Sequence, residues 1–586
     1  MFERIPIWLE ATMGRIAALR VRFNKLGWLP RVFGYVVVFG FTCLMATPAY
    51  AQIAEPIPGD PVRIDTGMVS GTLLPSGVKA YLGLRYAQPP TDERRWKAPQ
   101  PLAAWKGVYH ADRKMPECIQ VLRPHNINHY FGEEATSEDC LFMNVWVPPN
   151  AHPGDKLPVI VFIYGGAFTV GSSGMASYGG ENVARSGAIF VNFNYRLGLL
   201  GFMADPALTA ESPQHSSGNY GFLDQIAALE WIHRNIAAFG GDPAQVIISG
   251  QSAGSMSVSL LQASPLAKGL FRGIVGMSGS VWMRPGGGIP TLAEAEKTGT
   301  EVAKALHVNG IAALRAVPAD RLLALQEDCQ MGCSAGTIRV GGANIDGYVL
   351  PATPAELFAQ HRQSDVPVVT GFTSDEAKGF NHNDLTKVET LAQFNAAVKQ
   401  LYGTKAGEFH KLYPASTDAE AKLMAANAVR DAGWPALAAW QWAKEQSSRG
   451  QAPVFVYEFA RVQPFNPAVE IADHPERIGA YHSSDVPYWF QTLDSLNIFR
   501  PTRLWTSNDR ELARSMTSML IAFARTGDPS IGTVKWPAWK PSTPRLLDIG
   551  SNGNSFKIEP MNRARLDFQA VNAPSTQPSK KPRVRD

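Results

Sequence analysis

The sequence predicts an α/β fold: a mostly parallel central sheet flanked by helices on both faces, with helical insertions on top. Three observations carry this. Runs that are wholly or almost wholly apolar, such as residues 159–164 (Val-Ile-Val-Phe-Ile-Tyr) and 188–193 (Ala-Ile-Phe-Val-Asn-Phe), read as strands buried on both faces, the habit of parallel sheets. Segments with a helical apolar period alternate with them, as in successive β-α-β units. The composition is ordinary for a globular chain, 45% hydrophobic and 18% charged over 586 residues, without internal repeats, a glycine period or sustained heptads.

The elements follow in order. Residues 52–96 hold short β-like pieces separated by Gly and Pro turns. After the strands at 159–164 and 188–193, residues 222–239 are a helix with Trp231 and Ile232 on its apolar face. Gly240-Gly241-Asp242-Pro243 stops it. Residues 246–249 are the next strand, 255–262 a helix, and 271–277 and 366–371 two further strands. Residues 385–446 read as a mostly helical insertion, 453–459 as a strand, and 508–526 as a helix that closes the domain. Trp434, Trp440, Trp442 and Trp489 are read as pocket or core, with core preferred for each. The expected organisation is a leader at 1–51, one domain at 52–571, and a disordered Pro-, Ser- and Lys-rich tail at 572–586.

The leader reads as a signal peptide. Basic residues precede a 15-residue apolar run at 32–46, short of the ~20 that a spanning helix needs, and Ala49 and Ala51 suit cleavage before Gln52. An uncleaved anchor is the alternative. The first 51 residues carry six bases and two acids, which accounts for the whole formal charge of +4. A neutral body argues against nucleic acid as the partner. The expected location is periplasmic or secreted, with no stable membrane span after cleavage. Four cysteines remain: Cys118, Cys140, Cys329 and Cys333. An even number in an exported chain favours two disulfides, and local spacing favours 118–140 and 329–333.

Gly-x-Ser-x-Gly occurs twice, around Ser252 and around Ser334. A nucleophile elbow needs a strand before the serine and a helix after it. Ser252 has both, whereas Ser334 follows a helix-like stretch and a cysteine loop. Ser252 is therefore the expected nucleophile, and Ser334 reads as a Gly-rich surface loop. The helix after Ser252 offers free N–H groups and its dipole to developing negative charge, with the Ala253 amide as one donor. Tyr164-Gly165-Gly166-Ala167-Phe168 follows a strand directly and has the form of the second donor loop.

Several motifs together resemble the type-B carboxylesterase/lipase family of the α/β-hydrolase fold, which includes cholinesterases. They are Ser137-Glu138-Asp139-Cys140-Leu141-Phe142-Met143-Asn144-Val145, Gly218 to Gln225, Asn235 to Pro243, and the elbow itself. The resemblance runs from about residue 67 to 539. It implies a Cys118–Cys140 disulfide near the mouth of an active-site gorge. It also implies the order Ser, acid, His. Gly371-Phe-Thr-Ser-Asp375-Glu376 places the acid at Glu376, with Asp375 as runner-up. His482-Ser-Ser-Asp485-Val-Pro-Tyr-Trp-Phe490 makes His482 the base. Six of the twelve histidines follow Ser252, and His482 stands out among them only through its motif and its order. Gln251 stands where the family often has Glu, and Ala167 and Ser255 replace frequent glycines. Gln251 and Ala167 are expected not to touch the triad. The lost carboxylate at 251, with no recognisable aromatic choline site, argues against a cholinesterase.

The expected activity is that of an exported serine carboxylesterase: Ser252 attacks a small ester, His482 takes its proton, Glu376 orients the imidazole, and the Gly166, Ala167 and Ala253 amides hold the oxyanion. No metal or organic cofactor is needed. A lipase acting on insoluble lipid esters and a non-catalytic esterase-like binding protein are the alternatives. The 118–140 loop, with Asn126, Asn128, Glu133 and Glu134, is polar for a lipase lid.

Overall fold

The structure is a computed structural model that describes residues 55–121, 135–282, 288–326, 338, 342–376, 384–469 and 478–573. The leader, Ser334 with its motif, Cys329, Cys333 and all but the start of the tail lie outside these residues.

Eleven strands form the main sheet. In chain order they are β1 (Thr72–Leu73), β2 (Lys79–Arg85), β3 (Phe142–Val147), β4 (Leu157–Ile163), β5 (Ile189–Phe193), β6 (Gly241–Gln251), β7 (Gly273–Met277), β8 (Val368–Thr373), β9 (Val454–Phe459), β10 (Arg545–Ile549) and β11 (Phe556–Pro560). Their spatial order is β11-β10-β9-β8-β7-β6-β4-β5-β3-β2-β1. From β5 to β10 all neighbours are parallel, and the pairs outside that block are antiparallel. The runs read as doubly buried strands are so: every residue of β5, and β4 from Pro158 onward, is buried.

Helix α1 (Tyr220–Asn235) forms where Phe222, Ile226, Leu229 and Ile232 repeat at helical spacing, and these side chains enter the core. A 3₁₀ turn follows, and Gly240 ends it at φ 89°, a conformation that costs glycine nothing. Gly241-Asp242-Pro243 does not merely stop the helix, as the sequence suggested, but opens β6. Only Gly241 and then Val246 onward pair with β4, because Pro243 has no N–H to give and the register shifts around it. Helix α2 (Ala253–Ala263) follows β6 directly.

The insertion has two parts. Its helices Leu391–Tyr402, Ala406–Leu412 and Asp418–Asp431 enclose a separate core of Phe394, Val398, Phe409, Tyr413 and Ala428. Helix α3 (Trp434–Arg449) instead packs on β8 and β9 in the main core. One expectation needs correction: α4 (Ser507–Thr526) does not close the domain. The chain continues through β10 and β11 to α5 (Arg563–Asn572). Strand β11 is half-exposed and lacks an apolar run, so its pattern carried no strand signal. Among the described residues no helix is long and apolar enough to cross a membrane.

Candidate active site

The elbow at Ser252 is built by close backbone approach. Ser252 has φ 57° and ψ −122°, a conformation that costs an L-residue about 1–3 kcal/mol and persists only where its surroundings force it. Here they do. Ser252 N donates to Met277 O at the end of β7 (2.8 Å), and Met256 N to Ser252 O (2.9 Å). A Cβ on Gly250 would lie 2.2 Å from Gly254 O, and one on Gly254 would lie 1.9 Å from Ile163 O. Only glycine fits at either end of Gly-x-Ser-x-Gly. No side chain caps the start of α2, so its first amides stay available beside the serine.

The second donor loop leaves the end of β4. A Cβ on Gly165 would lie 2.4 Å from Gln251 O and 2.8 Å from Ser252 Cβ, so glycine there lets the loop touch the elbow. Gly166, Ala167 and Phe168 follow with φ of 109°, 55° and 62°. Three consecutive left-handed residues are held from outside. Thr169 N and Val170 N donate to Gly166 O, and Gly198 N donates to Phe168 O. The Phe168 ring packs on Phe202 and Phe222, with centroids 5.1 and 5.5 Å away. Gln120 clamps the loop's far end, accepting from Gly171 N (2.7 Å) and donating to Gly171 O (2.9 Å). It stands two residues from Cys118, whose disulfide to Cys140 is present with a Cα–Cα distance of 4.9 Å.

The expected acid lies just after β8, and the expected base lies on the segment from residue 478 onward, well past the end of β9. His482 Nδ1 and Glu376 Oε2 are hydrogen-bonded. Glu376 is buried and accepts a second bond from Thr373 N (2.9 Å). Asp375 points elsewhere. Its Oδ2 accepts from Ala480 N and Ser374 Oγ, and its backbone N–H donates to Ala480 O. It thus stitches the end of β8 to the segment that carries His482. Asp485, three residues after His482, is fully buried. Tyr457 O–H donates to its Oδ2 (2.7 Å), and Oδ1 has no hydrogen-bond partner among the described residues. Burial pushes this carboxyl up to about 6, aided by the nearby Glu376 charge.

The predicted site residues therefore gather at the carboxyl edge of the parallel strands, where open α/β sheets place their ligands. Cys329, Cys333 and Ser334 lie outside the described residues. Two readings change. Gln251 does touch the predicted triad: its Nε2 is 3.1 Å from His482 Nε2. Alternation along β6 should send it away from the site, but Gly165 leaves room for its side chain beside the imidazole. Trp434 is not core like Trp440, Trp442 and Trp489. It is half-buried, with its ring centroid 5.5 Å from that of His482, because it begins α3 at the end facing the site. Sequence reasoning also missed Gln120 and the anchoring role of Phe168. Both act through contacts distant in sequence, and no local pattern marks them. Among the described residues, no group of three or more His, Cys, Asp or Glu side chains converges as metal ligands would.

The model of the carboxylesterase family matches residues 59–569. The chain belongs to the carboxylesterase family. This carboxylesterase is 33% identical over 532 residues to the fumonisin B1 esterase of Sphingopyxis macrogoltabida, an alignment that covers 88% of this chain and 91% of that protein. It is likewise 33% identical over 501 residues to the para-nitrobenzyl esterase of Bacillus subtilis, covering 84% of this chain and 94% of that one. A solved structure of a PNB esterase matches 88% of the carboxylesterase at 30% identity with a TM-score of 0.67, over the whole of that chain (100%). The carboxylesterase has the α/β-hydrolase fold and is a serine hydrolase acting on carboxylic esters.

The second family motif has a structural reading. Glu138 pairs with Arg95 through both carboxylate oxygens (2.7 and 2.5 Å), and Asp139 pairs with Arg85 in the same way (2.6 and 2.7 Å). Asn144 on β3 donates to Asn192 on β5 (2.9 Å) and accepts from Gly83 N (3.0 Å). The motif thus fixes the frame around the disulfide and does not supply chemistry.

Proposed function

We propose that this carboxylesterase hydrolyses small esters through an acyl-enzyme, with Ser252 as nucleophile, His482 as base and Glu376 as its orienting acid. One contact carries the reading: His482 meets Glu376 through Nδ1, which leaves Nε2 for the proton, and Nε2 lies 3.1 Å from the amide of Gln251, the residue before Ser252. His482 Nε2 takes the Ser252 proton as Oγ attacks the ester carbonyl carbon. The carbonyl oxygen becomes an oxyanion, received by the amides of Gly166, Ala167 and Ala253. His482 returns the proton to the leaving alkoxide, and alcohol departs. Water then gives a proton to His482 and its oxygen to the acyl carbon. The acid leaves, and Ser252 recovers its hydrogen. Glu376 keeps the proton on Nδ1 and stabilises the imidazolium formed in each half.

We also propose that the protein is exported to the periplasm or medium, with cleavage before Gln52. The leader pattern and the Cys118–Cys140 disulfide support this. Recovered protein should begin near Gln52, and Cys118 should resist alkylation without reductant.

The test is a panel of p-nitrophenyl esters of rising chain length. The bulky arm is set by what the relatives' names specify: fumonisin B1 and para-nitrobenzyl esters. Ser252→Ala should lose turnover by on the order of 10⁴-fold while keeping the fold, and Ser334→Ala should match wild type. An organophosphate should label a peptide containing Ser252. Label on Ser334, or full activity in Ser252→Ala, overturns the reading.

A further inference from the structure

Gln251 occupies the one place around His482 that a base must keep open. Its Nε2 lies 3.1 Å from His482 Nε2, and the side chain is only 3% exposed. Its Oε1 faces Gly165, where a Cβ would come within 3.0 Å. The amide is therefore lodged between the first glycine of the oxyanion loop and the imidazole. His482 gives Nδ1 to a carboxylate, which only accepts, so Nδ1 carries the hydrogen and Nε2 presents its lone pair. An amide N–H donates to that lone pair, and the same lone pair must receive the Ser252 proton.

We infer that Gln251 is a positioning residue that caps the base in the substrate-free enzyme and leaves His482 Nε2 when an ester enters. This rests on the reading of His482 as the base. A donor on the lone pair favours the neutral ring, and an acceptor in the same place favours the protonated one. Glutamine therefore favours the neutral ring, and glutamate, which the family often has at this place, would favour the protonated one. Among the described residues, the other groups near the imidazole include Glu376 at the end of β8, Asp485 on its own segment with Tyr457 of β9 behind it, and the uncharged Trp434 ring of α3. The carboxylates among them are common to every variant below, so changes at position 251 are read against a constant field.

The experiment compares wild type with Gln251→Glu, which exchanges donor for acceptor, and Gln251→Met, which keeps most of the volume without a donor. Turnover of p-nitrophenyl acetate is followed across pH, and the His482 Nε2 nitrogen resonance is recorded in substrate-free protein. The acid limb should move up by about one pH unit in Gln251→Glu and by about half a unit in Gln251→Met. In Gln251→Met the His482 Nε2 resonance should shift towards that of an unbonded nitrogen. Coincident acid limbs with an unchanged resonance overturn the cap. If wild type neither turns over esters nor takes the organophosphate, the catalytic reading has failed, and the resonance alone still decides whether Gln251 donates to His482.

Discussion

The serine half and the histidine half of the site are held by different means. Ser252 stands where backbone meets backbone: a Cβ on Gly250, Gly254 or Gly165 would fall within 2.4 Å of a main-chain oxygen. His482 and Glu376 are placed by side-chain and loop hydrogen bonds, through Glu376, Asp375 and the buried Asp485–Tyr457 pair. Steric exclusion fixes the first half, and it is indifferent to pH. Titratable groups tune the second. Substitutions should therefore break the two halves in different currencies, fold in one and rate or pH response in the other.

Gly254→Ala should have the largest effect on the fold. Its Cβ would press on Ile163 O at 1.9 Å, and neither the helix nor the strand can yield without opening the sheet. A loss of more than about 4 kcal/mol in denaturant unfolding, or no soluble protein, is expected. A stable Gly254→Ala protein would show that the elbow is less constrained than its geometry. Glu376→Gln should act in the opposite sense, with an unfolding midpoint near wild type and turnover lower by about 10³- to 10⁴-fold, because the uncharged amide no longer supports the imidazolium.

Asp485→Asn sharpens the comparison through pH. Its folded-state carboxyl, at about 6, lies above its ordinary 3.8. The folded protein therefore holds a proton that the unfolded chain gives up, and wild type loses stability as pH rises from about 4 through 6. Asparagine has no proton to lose. Relative to wild type, Asp485→Asn should gain about 2–3 kcal/mol between pH 4 and pH 7.5. A difference that stays flat with pH would mean the carboxylate is solvated. Asp375→Asn should be the mildest: asparagine can still accept from Ala480 N, so kcat/KM should fall less than about 5-fold. A loss of the size expected for Glu376→Gln would reassign the acid.

The sequence was legible where one local pattern has one physical cause. The runs at 159–164 and 188–193 became the sheet centre because double burial is what favours such nearly unbroken apolar runs. The Gly-x-Ser-x-Gly at 252 could be chosen by the strand before it and the helix after it. Glu376 and His482 came from family resemblance, since no local rule brings residues 376 and 482 together. The misreadings have one root. Gln251, Trp434 and Gln120 matter through partners far along the chain, and β11 shows a mixed half-exposed pattern instead of an apolar run.

The middle of the sheet joins segments that are remote in the chain. Val159 pairs with Val246, Ile274 with Val368, and Val368 with Val454. Each ladder must close a long loop before its first hydrogen bond forms, and that entropy is spent ahead of any reward. It grows only slowly with loop length, about 0.6 kcal/mol per doubling, but it recurs at every crossing. Refolding from denaturant should accordingly be slow and set by these closures, with no small fragment of the parallel block stable by itself. The serine, the oxyanion loop and the acid all sit at the ends of such strands, so regain of esterase activity should be among the last signals to return.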